Sequence, residues 1–491
     1  MKKLFCLLAL SLSVLIPSMI LAMPGVYPTG TTFYKPDKCW SGYTILTYSA
    51  PSVLIDMNGN VVKKWPINVA PPIPCKILPG GYIMTSRRGA GRGINSVIQM
   101  DWDDKIVWQF DKFEQVQGFG PPSGAGPKRG RPGGSPLGAK VWTAGVHHDF
   151  QREGNPVGYY VPGMEPMVDK GKTLILAYTA SKNPRINSNV LLDDVIYEVT
   201  WDGKVVWKWV ASEHVDEMGF SELEFKAMQR NRAPRVDWLH VNCASYLGPN
   251  KWFDTGDERF HPDNIIFDSK TANILAIIEK KTSKIVWLVG PRYDSSPQLK
   301  KLGWILGPHH THMIPKGLPG AGNILVYDNG GSAGYGDPDP VNRFRYFRDY
   351  SRVIEFNPVT LEKEWEYSPV TLGMFVPGDG MREYSAYISS AQRLPNGNTL
   401  ITEGADGRII EVTPALEVVW EYVSPYYRIH PSRPGTPKHK VPGQDVYRAY
   451  RVPYDYIPQI KKPEEIPVIP PHNKNFRVEG SGDNFKIKII R

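Results

Sequence analysis

The chain has 491 residues, 41% of them hydrophobic and 11% aromatic, with a formal charge of +9 from 58 Lys plus Arg against 49 Asp plus Glu. Its 45 prolines and 46 glycines approach a fifth of the sequence, yet the aromatic content excludes a disordered chain, so Pro and Gly must punctuate short strands. The positive charge suits an anionic ligand or a polyanionic surface; without base-stacking modules among the basic stretches, nucleic acid is not an expected partner.

The first residues set the expected compartment. Lys2 and Lys3 precede an apolar run from Leu4 to about Leu21 and the small residue Ala22, the layout of a secretory signal peptide over residues 1–22. The alternative is an uncleaved anchor, because Ile20 suits a cleavage site poorly and the run is nearly long enough to span a bilayer. No second run of that length follows. The remainder is expected to be soluble and periplasmic or otherwise exported, with no stable membrane insertion after cleavage. An oxidising compartment permits a disulfide, and Cys39–Cys75 is the expected pair, leaving Cys243 as a buried thiol. The absence of a CxxC pair argues against a cysteine zinc site.

One pattern then repeats: an apolar strand, a turn, and a strand ending in tryptophan. The copies run VLIDMNGNVVKKW to Trp65, VIQMDWDDKIVWQF at Trp108, VIYEVTWDGKVVWKW at Trp207, ILAIIEKKTSKIVWLV at Trp287, VIEFNPVTLEKEWEY at Trp365 and IIEVTPALEVVWEY at Trp420. Each alternates apolar and polar residues around turn residues, as a hairpin does. Six copies at roughly 70-residue spacing predict an all-β, six-bladed β-propeller over residues 23–460. Two packed sheet domains are the alternative.

Two further strands precede most hairpins, as in AQRLPNG and TLITEG, HMIPKG and NILVYDNG, and CKILPGG and YIMTS. The blade is therefore four strands, the first lining the axis. The opening blade lacks that strand, and YRAYRVPYD near the other end mirrors AQRLPNG, with Arg451-Val452-Pro453 standing where Arg393-Leu394-Pro395 stand. The C-terminal segment is expected to complete blade one and latch the ring, which removes exposed edges. Between blades two and three, Gly118 to Lys140 is a Gly/Pro-rich basic insert, either a surface loop or a lid. Ser221 to Arg230 predicts a short helix with capping-box spacing between Ser221 and Glu224. Residues 461–491, Pro-rich and charged, are expected to be an extended tail.

Side chains two apart on a strand share a face. Counted from the turn prolines, the axial positions are Ser390 and Gln392, His310 and His312, Arg448 and Tyr450, and in blade three His147 and Asp149, with His148 replacing His147 if the register slips by one. Blade four offers His240 and Asn242 in DWLHVN. Six of the eleven histidines sit on three inner strands, and a polar cluster in a concave site is a functional candidate.

DWLHVN, HTHMIPKG followed by GNILVYDNGG, YSRVIEF and SAQRLPNGNTLITEG resemble, in order, the motifs of the arylsulfotransferase family, over about Cys39 to Gln459. The resemblance implies a six-bladed periplasmic propeller that moves a sulfuryl group from an aryl sulfate donor to a phenolic acceptor, with no nucleotide donor and no metal or other cofactor. It also implies a histidine nucleophile forming a sulfo-histidine, aided by two more histidines and an arginine near the channel mouth. Residue by residue, His240 matches the W-x-H-x-N histidine and His312 the histidine ahead of the DNG strand. The arginine after DNG is Arg343, Arg345, Arg348 or Arg352, with Arg343 preferred and Arg352 open to a structural role. The family's nucleophilic histidine belongs near the next inner strand, yet Tyr384 to Arg393 holds none. His147, His148 or His310 takes that role, or the chemistry differs.

Sulfuryl transfer needs an aligned nucleophile and cations on the equatorial oxygens. Neutral imidazole suits the first task near pH 7. Arg448, the arginine after DNG, Lys270 and Arg87 are candidates for the second, through the guanidinium fork or a point charge; Lys270 and Arg87 both follow second strands and are equally readable as surface cations. A rival enzyme uses His310, His312, His147 and His240 as metal ligands, with Asp149 orienting one of them. A third alternative is a non-catalytic propeller scaffold binding a partner through its loops.

Overall fold

The structure is a computed structural model that describes residues 29–47, 52–65, 73–88, 95–111, 115–117, 140–142, 145–233, 235–335, 346–376, 378–426, 428–429 and 442–469. The signal segment, Arg343, Arg345 and residues 118–139 of the basic insert lie outside the described residues. Among the described residues no helix is long and apolar enough to cross a membrane.

Six sheets, whose four blade strands pair antiparallel in order from axis to rim, make a six-bladed propeller, and in blades two to six those four strands are consecutive in the chain. The inner strands of blades two to six are Lys76–Leu78, Val146–Arg152, Val241–Tyr246, Pro308–Met313 and Ser390–Arg393. Blade one takes its inner strand, Ala449–Val452, from the C-terminal end, paired antiparallel with Tyr43–Leu46. The mirror between YRAYRVPYD and AQRLPNG extends to chemistry. Arg393 pairs with Glu355 on the third strand of blade five at 2.6 Å, and Arg451 pairs with Glu411 on the third strand of blade six. Asn323 and Asn398 each donate to the matching glutamate at 2.7 Å. A buried carboxylate carrying both an arginine and an amide is compensated for its desolvation.

The ring has a second closure that the repeat pattern did not disclose. Strand Gly30–Tyr34 adds to the outer edge of blade six, antiparallel to Val418–Val423, and Tyr34 exchanges both backbone hydrogen bonds with Val468 of the C-terminal segment. The outermost edge of blade six, which strand rules mark as a pairing hazard, is thereby covered by the chain itself.

The repeated tryptophans join the blades. The Nε1–H of Trp108, Trp207, Trp287, Trp365 and Trp420 donates to the carbonyl of Trp201, Lys280, Pro358, Pro414 and Met57 respectively, at 2.8–3.1 Å. Each acceptor sits in the last hairpin turn of the next blade, and the Trp420 bond closes the circle from blade six to blade one. Trp65 makes no such bond; Lys63 donates to the Trp102 carbonyl in its place at 2.8 Å. Apolar cores fill the wedges between blades, as where Ile266, Ile277 and Trp287 of blade four meet Met313, Val326 and Phe356 of blade five.

The helix Glu222–Gln229 forms as read, with Ser221 and Glu224 satisfying each other's backbone N–H in a capping box. The expected disulfide does not. Cys39, Cys75 and Cys243 are all free thiols. Cys39 packs beside Trp420 between blades six and one, whereas Cys75 is buried with Trp65 and Ile77 between blades one and two. Closeness in sequence put the two on opposite sides of blade one.

A histidine pair at the mouth of the channel

In a blade the first strand begins, and the second ends, at one common face, which carries the mouth of the axial channel. Four successive inner strands enter there with a residue in left-handed backbone geometry: His148 (φ 58°), His240 (φ 54°), His310 (φ 54°) and the Ile388–Ser389 pair (φ 55° and 107°). Pairing register breaks beside the first three, as at a β-bulge. Such geometry costs a non-glycine residue about 1–3 kcal/mol and tends to mark functional segments. The bend decides the blade-three register in favour of His148. His147 turns away, stacks on Tyr178 with centroids 3.5 Å apart, and places Nε2 3.0 Å from Asp194.

His148 and His240 face each other with 3.1 Å between their Nε2 atoms. Asp237 lies 2.6 Å from Nδ1 of His240 and accepts that ring's proton, while the Tyr178 hydroxyl lies 3.2 Å from the same nitrogen. Neutral His240 therefore presents an Nε2 lone pair, and His148 is the donor across the contact. Nδ1 of His148 lies 2.7 Å from the Tyr447 hydroxyl. The two rings differ in access: the His240 side chain is 23% exposed and His148 only 3%. Burial, reinforced by the charges of His240 and His147, pushes the pKa of His148 well below the usual imidazole range, so it is neutral at pH 7. Burial does the same to His147.

Lys270 borders this pair. Its backbone N–H donates to the His240 carbonyl at 3.1 Å, and its charge, after burial, is the next influence depressing the pKa of His309. His309 itself was missed by strand alternation. It bonds Asn329 of the DNG motif at 2.6 Å, and Asn329 donates onward to the Ile388 carbonyl at 2.7 Å, so the motif ties blade five to the blade-six entrance.

Below the mouth lies a buried charged layer. Arg448 reaches Asp149 at 3.1 Å, the Asn242 carbonyl at 2.7 Å and the Tyr450 hydroxyl at 3.2 Å. Lys76 holds the other Asp149 oxygen at 2.6 Å and the Gln151 side chain at 2.9 Å; burial lowers its pKa to about 8 against the pull of Asp149. Asp149 is thus an ion-pair anchor and orients no imidazole. The Asn242 amide donates to the Pro308 carbonyl at 2.9 Å, bracing blade four against blade five.

Deeper still, His310 and His312 lie with ring centroids 4.7 Å apart, and both are fully buried. His310 contacts the Ala391 carbonyl through Nδ1 and the Tyr450 hydroxyl through Nε2, at 2.9 and 3.2 Å. His312 contacts the His310 carbonyl through Nδ1 and the Tyr159 hydroxyl through Nε2, at 2.8 and 2.9 Å. Burial depresses both, His312 to about 4. Tyr159 belongs to a segment between the first two strands of blade three. Val157, Tyr159 and Val161 share one buried apolar core with Ile77, Tyr450 and Val452 of two inner strands and with Ile314, which follows a third. Gly158 sits so close to Lys76 that a Cβ there would lie 2.6 Å from Nζ.

The expected cluster is therefore two: His240 and His148 at the mouth, His310 and His312 in the interior, with the charged layer between. His310 and His312 are fully buried with each ring nitrogen bonded by the protein, so an incoming substrate reaches neither, in contrast to the part-exposed His240. The four imidazoles proposed as metal ligands do not converge, and among the described residues no three His, Cys, Asp or Glu side chains group as a ligand set. Arg352 and Arg348 are both committed to the buried Asp328, at 2.7 and 2.8 Å; they fix blade five rather than face the pair. Arg87 is exposed at the mouth end of the second strand of blade two. Asp237, Tyr178 and Tyr447 went unnoticed in the sequence, because none follows the strand count that led to the histidines.

Fold and site define a propeller whose axial mouth is built around a carboxylate-held histidine pair. The chain belongs to the arylsulfotransferase (ASST) family, whose sequence model matches residues 166–417, just over half of it. That match takes in His240, His310 and His312 and leaves His148 and Tyr447 outside. No curated protein matches the chain. Solved structures similar to it include a protein of unknown function from Bacteroides caccae, 11% identical over 84% of this chain and 99% of that one, with a TM-score of 0.41. Others are a streptogramin B lyase, 11% identical over 82% and 85%, TM-score 0.32, and the dihydro-heme d1 dehydrogenase NirN in complex with DHE, 11% identical over 90% and 79%, TM-score 0.35.

Proposed function

We propose that this protein transfers a sulfuryl group from an aryl sulfate to a phenolic acceptor at the channel mouth, through a sulfo-histidine on His240. The observation that carries this is the Asp237–His240–His148 arrangement on an accessible face, in a chain of a family named for aryl sulfotransfer. Asp237 holds the His240 ring in the tautomer that leaves a lone pair on Nε2, which attacks once substrate displaces the His148 N–H from it, the role a carboxylate plays behind other catalytic imidazoles. A bond forms from Nε2 to sulfur as the bond between sulfur and the aryl oxygen breaks, its electron pair leaving on the phenolate, which takes a proton from solvent. The phenol acceptor reverses these events. His148, whose N–H loses its partner when Nε2 reacts, is left about 3 Å away to bond a sulfuryl oxygen, the fixed-donor electrostatics such transition states require. Lys270 supplies positive charge beside it. The basic, then apolar, N-terminal segment supports export to the periplasm as the setting.

The test is incubation with a chromogenic aryl sulfate, with and without a phenol. Acceptor-stimulated release, with one sulfuryl group of added mass mapped to the peptide holding His240, supports the proposal. No turnover over a broad donor panel, or an adduct on another residue, overturns it.

A further inference from the structure

The latch strand does more than close the ring: its first residues reach into the site. Tyr447 is 299 residues from His148 in sequence, yet its hydroxyl lies 2.7 Å from Nδ1 and 3.2 Å from the main-chain oxygen of that histidine. The Tyr447 ring also stacks under the Arg448 guanidinium at 5.1 Å, and both residues are buried.

We infer that Tyr447 is a positioning residue that decides which ring nitrogen of His148 carries its proton, and so whether His148 donates to His240. This rests on the sulfuryl-transfer reading only for its consequence in turnover. The hydroxyl has one hydrogen and two acceptors in reach. Pointed at Nδ1, it leaves the His148 proton on Nε2, aimed at the His240 lone pair, and both neutral rings are satisfied. Pointed at the carbonyl, it accepts from Nδ1–H instead. Two Nε2 lone pairs would then meet at 3.1 Å, an arrangement that only a protonated His240 relieves. The rotor therefore follows the proton of the pair. Burial raises the Tyr447 pKa well above its usual range, so the hydroxyl keeps its hydrogen at any working pH. Water is a poor surrogate for this contact, because His148 is only 3% exposed.

The experiment uses the full chain, 15N-labelled at histidine, with His148→Gln to assign the signals. Resting wild type should show an unprotonated Nδ1 and a protonated Nε2 on His148; a protonated Nδ1 there overturns the inference without any variant. Tyr447→Phe should move these two signals, lower kcat about 10- to 100-fold with KM within about twofold, and shift the acidic limb of the kcat–pH profile. Tyr450→Phe, from the same strand but bonded to His310, should leave the His148 signals in place and kcat within a few fold. Unchanged signals and kcat in Tyr447→Phe, or equal losses in both variants, overturn it. If wild type turns over no aryl sulfate, the sulfuryl-transfer reading falls while the ring-nitrogen signals still decide Tyr447.

Discussion

His148 and His240 are 92 residues apart and on neighbouring blades, yet their Nε2 atoms share one 3.1 Å contact. Two neutral imidazoles can hold such a contact only with a single hydrogen between them, so the tautomers of the two rings are tied together, with His240 23% exposed and His148 3%. His240→Gln is expected to lower kcat by about 10³-fold or more and to abolish any covalent adduct, since the reacting nitrogen is gone. His148→Gln should cost less, about 10- to 100-fold, because it removes a donor. Initial rates and intact mass with an aryl sulfate check both; a reversed order assigns the attack to His148.

Asp237→Asn keeps the shape of the site and replaces an acceptor by an amide. The amide can turn its N–H toward His240 and favour the opposite tautomer, with the proton on Nε2. A fall of about 10²–10⁴ in kcat with little change in KM is expected. Steady-state kinetics on both parameters is the check, and an equal change in KM would point to substrate contact instead.

His312 is neutral and buried in the folded chain, with a pKa depressed to about 4, whereas the unfolded chain binds a proton near pH 6.5. Between those values the unfolded state holds more protons, so the contribution of His312 to stability is full above about pH 6.5 and is lost as pH falls toward 4. Burial raises Asp268 to about 6, which acts in the opposite sense, so the whole-protein curve mixes the two. The variant isolates the histidine: the stability cost of His312→Gln should shrink by about 2–3 kcal/mol between pH 7.5 and pH 4.5. Urea unfolding of both chains at the two pH values measures it, and a constant cost would refute the assignment.

The tryptophan ring predicts unequal costs for chemically identical changes. Trp420→Phe removes the bond to Met57 across the closure seam and leaves that carbonyl only the longer 3.3 Å bond from Thr31, for about 1 kcal/mol beyond lost packing. Trp65→Phe removes an N–H that has no partner among the described residues, so it should cost distinctly less. Thermal unfolding of the two variants side by side distinguishes them.

Six blades, four strands each and the C-terminal latch were all legible, because each is written as a repeated local pattern: Trp207 or Trp365 marks a hairpin wherever it occurs, and Arg451 copies Arg393 down to its glutamate partner. The site was legible only as residue types. Alternation placed His310 and His312 on one face, but the left-handed bends at His148, His240 and His310 break that alternation at the mouth. Nothing in strand periodicity signals such a bend except the doubled histidines of VHHD and PHHT, whose second member takes it both times. Tyr447, Asp237 and Tyr159 were illegible for another reason. Their partners lie on other blades, and only the closed ring makes them neighbours.

Two segments far apart in sequence meet at a single seam, with Gly30–Tyr34 on blade six and Ala449–Val452 on blade one. Thr32 finds its partner in Glu421, 389 residues later, so a chain emerging N-terminus first keeps its earliest strand waiting until almost everything else has been made. Such long-range pairing is slow to form. The same arrangement makes the finished molecule hard to fray, since loosening either terminus means prising open the junction that also delivers Tyr447 to its histidine. Persistence of the folded form and competence of the mouth should therefore be lost together, as one event.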